Sequence, residues 1–147
     1  SLIANSSKAI GVLSDVDEES LNSLYFYGRQ LGLAFQVVDD ILDFTGNDKQ
    51  LGKPAASDLQ SGYLTAPVFY ALEENPTLSE LINGKFSQKD DLDKALSIVR
   101  NSSAIKKSRE LAEQFASESK ESISWLPDSP SKKALLELPE FVISRLY

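Results

Sequence analysis

Between Leu31 and Phe44 nearly every residue is apolar: Leu31, Leu33, Ala34, Phe35, Val37, Val38, Ile41, Leu42 and Phe44. Gln36, Asp39, Asp40 and Asp43 are set into that run. At about 3.6 residues per turn, positions 36, 39/40 and 43 share one face of a helix. A helix that is apolar on its other faces is buried, so three carboxylates are held in or beside a core. Unpaired ionised carboxylates are very costly there unless cations or hydrogen bonds compensate them. No Arg or Lys lies within the run, which leaves a divalent metal as the cheapest compensation. Oxygen-only ligands favour a hard ion such as Mg²⁺.

The rest of the composition narrows the chemistry. A chain of 147 residues fits one domain with a real core. A net charge of −7 and the lack of any basic cluster argue against a nucleic-acid partner. With no Cys and no His, thiol catalysis, disulfides, Cys-ligated zinc and imidazole bases are excluded. Catalysis by this chain must come from carboxylates, Lys, Arg, Tyr or a bound metal. No apolar run reaches about 18 residues without a charge, so no membrane span is expected. No signal-peptide pattern is present. The chain has no Met and opens within a helical pattern at Ser1-Leu2-Ile3-Ala4, which reads as a piece of a longer product.

Gly and Pro fall between helical patterns. Residues 2–13 read as a closely packed helix. Asp15–Ser20 reads as a turn with an N-cap, followed by a long helix from Leu21 to Phe44 that stops at Thr45-Gly46-Asn47. Gly28 and Gly32, four apart, invite close approach of a neighbouring helix. Residues 46–64 form the longest loop-like stretch, a place where binding segments often lie. Thr65 is the expected N-cap of a helix through Glu73, with Pro67 in its first turn. Further helices are expected over Thr77–Ile82, Gln88–Val99, Ser103–Leu126 and Ser131–Leu146, with Leu111, Phe115 and Ile123 on one face and a kink at Pro139. Trp125 and Phe115 read as core. No alternating strand pattern is present, so the class is all-α, with residues 1–147 as part of one domain.

The motif that carries chemistry is Asp39-Asp40-Ile41-Leu42-Asp43, a DDxxD within FQxxDDxxD. Carboxylates at i and i+4 lie close enough to grip one ion or a pair, and Asp40 flanks them. Such a row suits Mg²⁺ shared with a diphosphate, because Mg²⁺ is usually bound by one or two carboxylates plus substrate phosphates. The bland alternative is a solvated acidic helix end, which the apolar neighbours disfavour. Lys53, in Leu51-Gly52-Lys53-Pro54, follows this helix and offers a point charge for a phosphate. Gln36 sits one turn before Asp39, and a buried amide there needs a substrate oxygen or a neighbouring helix as partner. Gly62-Tyr63-Leu64-Thr65 reads equally as a turn and cap or as part of a site.

Gly32-Leu33-Ala34-Phe35-Gln36-Val37-Val38-Asp39-Asp40-Ile41-Leu42-Asp43-Phe44, then Leu51-Gly52-Lys53-Pro54, Asp58-Leu59 and Gly62-x-x-Thr65-Ala66-Pro67, resembles the C-terminal half of a trans-isoprenyl diphosphate synthase. The likeness covers essentially the whole chain. It is strongest to the long-chain polyprenyl type, such as the solanesyl diphosphate synthases of cyanobacteria and plastids. The opening Ser1–Ser6 and closing Ile143–Tyr147 look cyanobacterial as well.

The resemblance implies a helical bundle of the isoprenoid-synthase type. It also implies an enzyme that condenses an allylic diphosphate with successive isopentenyl diphosphate units into a long all-trans polyprenyl diphosphate, a quinone side chain. Departure of the diphosphate, assisted by Mg²⁺ and basic residues, leaves an allylic cation that the isopentenyl double bond attacks; proton loss completes the extension. Asp39, Asp40 and Asp43 match the second aspartate-rich motif and would hold Mg²⁺. Gln36 and Lys53 match residues that contact the allylic or polyprenyl diphosphate, and Asp39, Asp40 and Lys53 would carry the catalysis. A homodimer located in the cytoplasm, or in a plastid, is implied likewise. The family's first aspartate-rich motif, its arginines and its N-terminal isopentenyl diphosphate site have no counterpart here, and Tyr63 stands where many relatives carry Lys or Asn. The chain alone is therefore expected to be inactive. A non-catalytic partner subunit is the alternative, although this chain keeps all three aspartates. A helical terpene cyclase would not carry FQxxDDxxD followed by LGKP.

Overall fold

A computed structural model describes residues 2–46 and 57–147. Its regular structure is helical throughout, with no strand among the described residues. In chain order the helices are α1 (Leu2–Leu13), α2 (Glu18–Thr45), α3 (Ser57–Gln60), α4 (Ala66–Glu74), α5 (Pro76–Asn83), α6 (Asp91–Asn101), α7 (Ala104–Ser122) and α8 (Pro130–Ser144). The chain divides into two compact units, one of Ser1–Val38 with Leu111–Tyr147 and one of Asp39–Glu110. The long helices α2 and α7 each contribute residues to both.

In the first unit α2 starts three residues earlier than the hydrophobic pattern suggests, because Asp17 caps it. Its carboxylate accepts from the Ser20 amide at 2.9 Å and the Ser20 hydroxyl at 3.0 Å. Those donors hold the Asp17 carboxyl below its ordinary range. Gly28 allows the close approach that its position suggests: a Cβ there would lie 2.6 Å from the Ile3 carbonyl and 2.9 Å from the Ala4 Cα. Ala4, Tyr27, Leu31, Ala34, Ala112, Ala116, Ile123 and Val142 are buried. The buried face of α7 is thus a stripe of small residues, with Leu111 and Phe115 only half-buried at its flank. Trp125 does not join the core; it is 44% exposed, because α7 ends at Ser122 and the chain turns before it.

The last helix runs through Pro139 without a break. Proline lacks the N–H that would serve the carbonyl of Leu135, four residues back. The Tyr27 hydroxyl donates to that carbonyl at 2.8 Å instead. Burial pushes the Tyr27 phenol up to about 12.

In the second unit Phe44, Leu59, Val68, Ala71, Leu78, Ala95, Val99 and Ala104 form the core. Thr65 occupies the N-cap position of α4 with its Pro in the first turn, yet its side chain makes no capping bond. Asn75 does cap α5, accepting from the Thr77 amide at 3.1 Å. The start of α6 is displaced to Asp91, whose carboxylate accepts from the Gln88 amide at 2.9 Å and so turns Gln88–Asp90 into a capping turn. No described helix is long and apolar enough to cross a membrane.

Candidate functional site

Exposure differs from residue to residue along the polar stripe of α2. Gln36 is exposed, Asp39 is half-buried, Asp40 is 6% exposed and Asp43 is 1% exposed. Gln36 is therefore not the buried amide that the apolar run suggests. Its neighbour Phe35 is also 41% exposed, so the helix presents an open flank at that turn. The three aspartates all belong to the second unit, where α2 completes its last two turns.

Two donors from α3 reach Asp43. Ser57 donates its hydroxyl to Oδ1 at 3.3 Å, and the Asp58 amide donates to Oδ2 at 3.3 Å. Both donors come from the first turn of α3. That helix is held in place by Leu59, which is 1% exposed in the core beside Phe44. The turn after it holds Gly62, whose φ of +85° favours glycine, while the Tyr63 amide bonds back to the Asp58 carbonyl at 2.9 Å. Ser61 and Gly62 thus form the turn that follows α3, and Tyr63 itself is 67% exposed.

The end of α2 is held from a second side. Arg100, in the last turn of α6, donates its Nε to the Phe44 carbonyl at 2.7 Å. A helix C-terminus leaves carbonyls without intrahelical partners, and a guanidinium is a good donor for one of them. Phe44, Thr45, Gly46, Arg100 and Ile105 line a cleft of about 470 Å³ at this end.

The acidic side chains of this stripe are of the type that a hard divalent cation takes. They offer carboxylate oxygens only, and a carboxylate oxygen such as those of Asp43 can accept more than one bond. Among the described residues, no three acidic side chains converge on one point as a complete ligand set. A cation held here would therefore share its coordination with other oxygens, as Mg²⁺ does with substrate phosphates. Lys53 lies outside the described residues. Ser57 and Arg100 are not singled out by sequence reasoning. A Ser before an Asp and an Arg at a helix end are too common to stand out without the contacts they make.

The described residues form helices only, with Asp40 and Asp43 buried in the last turns of α2, and comparison with known proteins gives the family. Residues 1–99 match the model of the Polyprenyl synthetase family, and the chain belongs to that family. A "Prenyl transferase" of a Synechocystis species is 50% identical over 147 residues, covering all of this chain and 46% of that protein. "Solanesyl diphosphate synthase 2, chloroplastic" of Arabidopsis thaliana is 44% identical over 146 residues, or 99% of this chain and 35% of that protein. The chain thus spans less than half the length of these relatives. Among solved structures, the apo form of an Arabidopsis medium/long-chain length prenyl pyrophosphate synthase superposes with a TM-score of 0.87 at 40% identity, covering 99% of this chain and 51% of that one. A polyprenyl synthase from Caulobacter crescentus, complexed with calcium and isoprenyl diphosphate, gives a TM-score of 0.84 at 32% identity, over 97% of this chain and 45% of that one.

Proposed function

We propose that this chain is the C-terminal part of a long-chain trans-polyprenyl diphosphate synthase, and that its aspartate row is one half of a metal–diphosphate clamp. The observation that carries the reading is the placement of Asp40 and Asp43 inside α2, with both Asp43 oxygens oriented by donors from α3. Carboxylates taken out of water in this way gain strongly from a cation beside them. Asp39, Asp40 and Asp43 would hold Mg²⁺, which when bound neutralises diphosphate oxygens as their bond to the allylic carbon breaks. Lys53 adds a cationic donor for the same diphosphate, and Gln36, one turn before Asp39, offers a neutral amide to the allylic substrate. Together these residues orient the diphosphate and stabilise the charge it acquires on leaving, without any imidazole or thiol.

The substrates in this reading are an allylic diphosphate and isopentenyl diphosphate, and the product is a long all-trans polyprenyl diphosphate. Residues 1–147 form part of a single synthase domain, which works as a homodimer in the cytoplasm or, as in the chloroplastic relatives, in a plastid. The chain by itself is inactive. The test joins it to the preceding portion of the Synechocystis relative and follows incorporation of labelled isopentenyl diphosphate. The joined protein is expected to extend an allylic diphosphate, the 147-residue chain alone is expected not to, and Asp39→Ala is expected to abolish extension. Undiminished extension by the Asp39→Ala protein sinks the metal assignment. Incorporation by the isolated chain refutes the half-clamp.

A further inference from the structure

We propose that Ser57 is a positioning residue for the cation site, acting through the Asp43 carboxylate; the inference rests on the reading above and adds a residue to it. A carboxylate on a helix rotates about its last bond, and a cation needs its oxygens in one orientation. Asp43 has that freedom removed. The Ser57 hydroxyl donates to Oδ1 and the Asp58 amide to Oδ2, each at 3.3 Å, so the two oxygens are addressed by different donors from one short helix.

The donors are themselves fixed. The Ser57 carbonyl accepts from the Ser61 hydroxyl at 2.9 Å and from the Ser61 amide at 3.1 Å, which braces α3 along its length. Leu59 in the same helix is 1% exposed. From the other side Arg100 holds the Phe44 carbonyl at 2.7 Å, so the backbone next to Asp43 is held as well. Ser57 is the replaceable member of this arrangement, because the Asp58 donor is backbone and survives any substitution other than proline. Groups that orient a metal ligand from behind typically change affinity by about 10- to 100-fold when removed.

The experiment titrates the 147-residue chain with Mn²⁺ in the presence of inorganic diphosphate, which supplies the remaining oxygens, and follows free Mn²⁺ by electron paramagnetic resonance. Ser57→Ala is expected to weaken Mn²⁺ binding by about tenfold. Ser57→Thr, which keeps the hydroxyl, is expected to restore it. A merely structural Ser57 would shift melting and leave Mn²⁺ affinity alone. Unchanged affinity in Ser57→Ala, with binding lost in Asp39→Asn, overturns the role of Ser57 and leaves the metal reading standing. Unchanged affinity in Asp39→Asn, or no Mn²⁺ binding by the parent chain with diphosphate present, overturns the metal reading and this inference with it.

Discussion

Pro139 removes one N–H from the middle of α8, and the Leu135 carbonyl it would have served is met by the Tyr27 hydroxyl at 2.8 Å. A proline inside a helix costs about 3 kcal/mol or more, part of it the lost hydrogen bond. Tyr27 offsets that part from a different helix. Tyr27→Phe is therefore expected to destabilise the chain by about 1 kcal/mol, since it leaves a carbonyl without a donor. In a Pro139→Ala background the restored backbone amide serves Leu135 itself, and the same Tyr27→Phe change should cost much less. A double-mutant cycle by urea unfolding measures the difference, and purely additive effects would show that the two residues are not coupled. The sequence displays Pro139 but not its remedy, because the partner is 108 residues away. Gln36 shows the same limit from the other direction. Its apolar neighbours suggest burial, yet it is exposed because Phe35 beside it faces outward too.

Among the elements, α4 and α7 are tied by one carboxylate. Glu74, the last residue of α4, accepts from the Ser103 hydroxyl, from the Ser103 amide at 3.0 Å and from Lys107 Nζ at 2.9 Å. Lys107 also stands 5.8 Å from the Tyr70 ring centroid. The Ser103 hydroxyl bond, then its amide and Lys107, bring the Glu74 carboxyl down to about 2 from an ordinary 4.5. A carboxyl depressed on folding stabilises the folded chain above its unfolded value and loses that contribution as pH falls through its folded value. The window is therefore pH 4.5 down to about 2. The Lys107 amine is raised by the same contact, so its share is present below its ordinary value and lost as pH rises through the folded one. Glu74→Gln should flatten the acid limb of stability against pH, read as the urea midpoint across that window. An acid limb as steep as the parent's would exclude Glu74 as its source. Helix positions were largely legible from the 3.6-residue pattern and from Gly and Pro. Helix ends were less so: α6 begins at Asp91 and α7 ends at Ser122, because side-chain caps and turns override periodicity there. The four-residue α3 carries no periodic signal at all, though it holds both donors to Asp43.

At the scale of the molecule, an acidic chain without His or Cys belongs to the polyprenyl synthetase family and spans 46% of the length of its Synechocystis relative. If catalysis runs through cations held by aspartates, chelation must stop it. In the joined protein described above, EDTA is expected to abolish isopentenyl incorporation and added Mg²⁺ to restore it. Turnover that survives chelation would mean that the aspartates serve some other purpose. The sequence by itself determined the helical class, the aspartate row and the family likeness. All three rest on local spacing and residue chemistry, which need no partner from elsewhere in the chain. Only the tertiary structure decided which aspartates are buried, which donors orient Asp43 and which guanidinium closes the end of α2. Burial and hydrogen bonding are properties of residues brought together in space: Asp43 meets Ser57 fourteen positions on, and Phe44 meets Arg100 fifty-six positions on. No spacing rule along the chain encodes contacts at those separations.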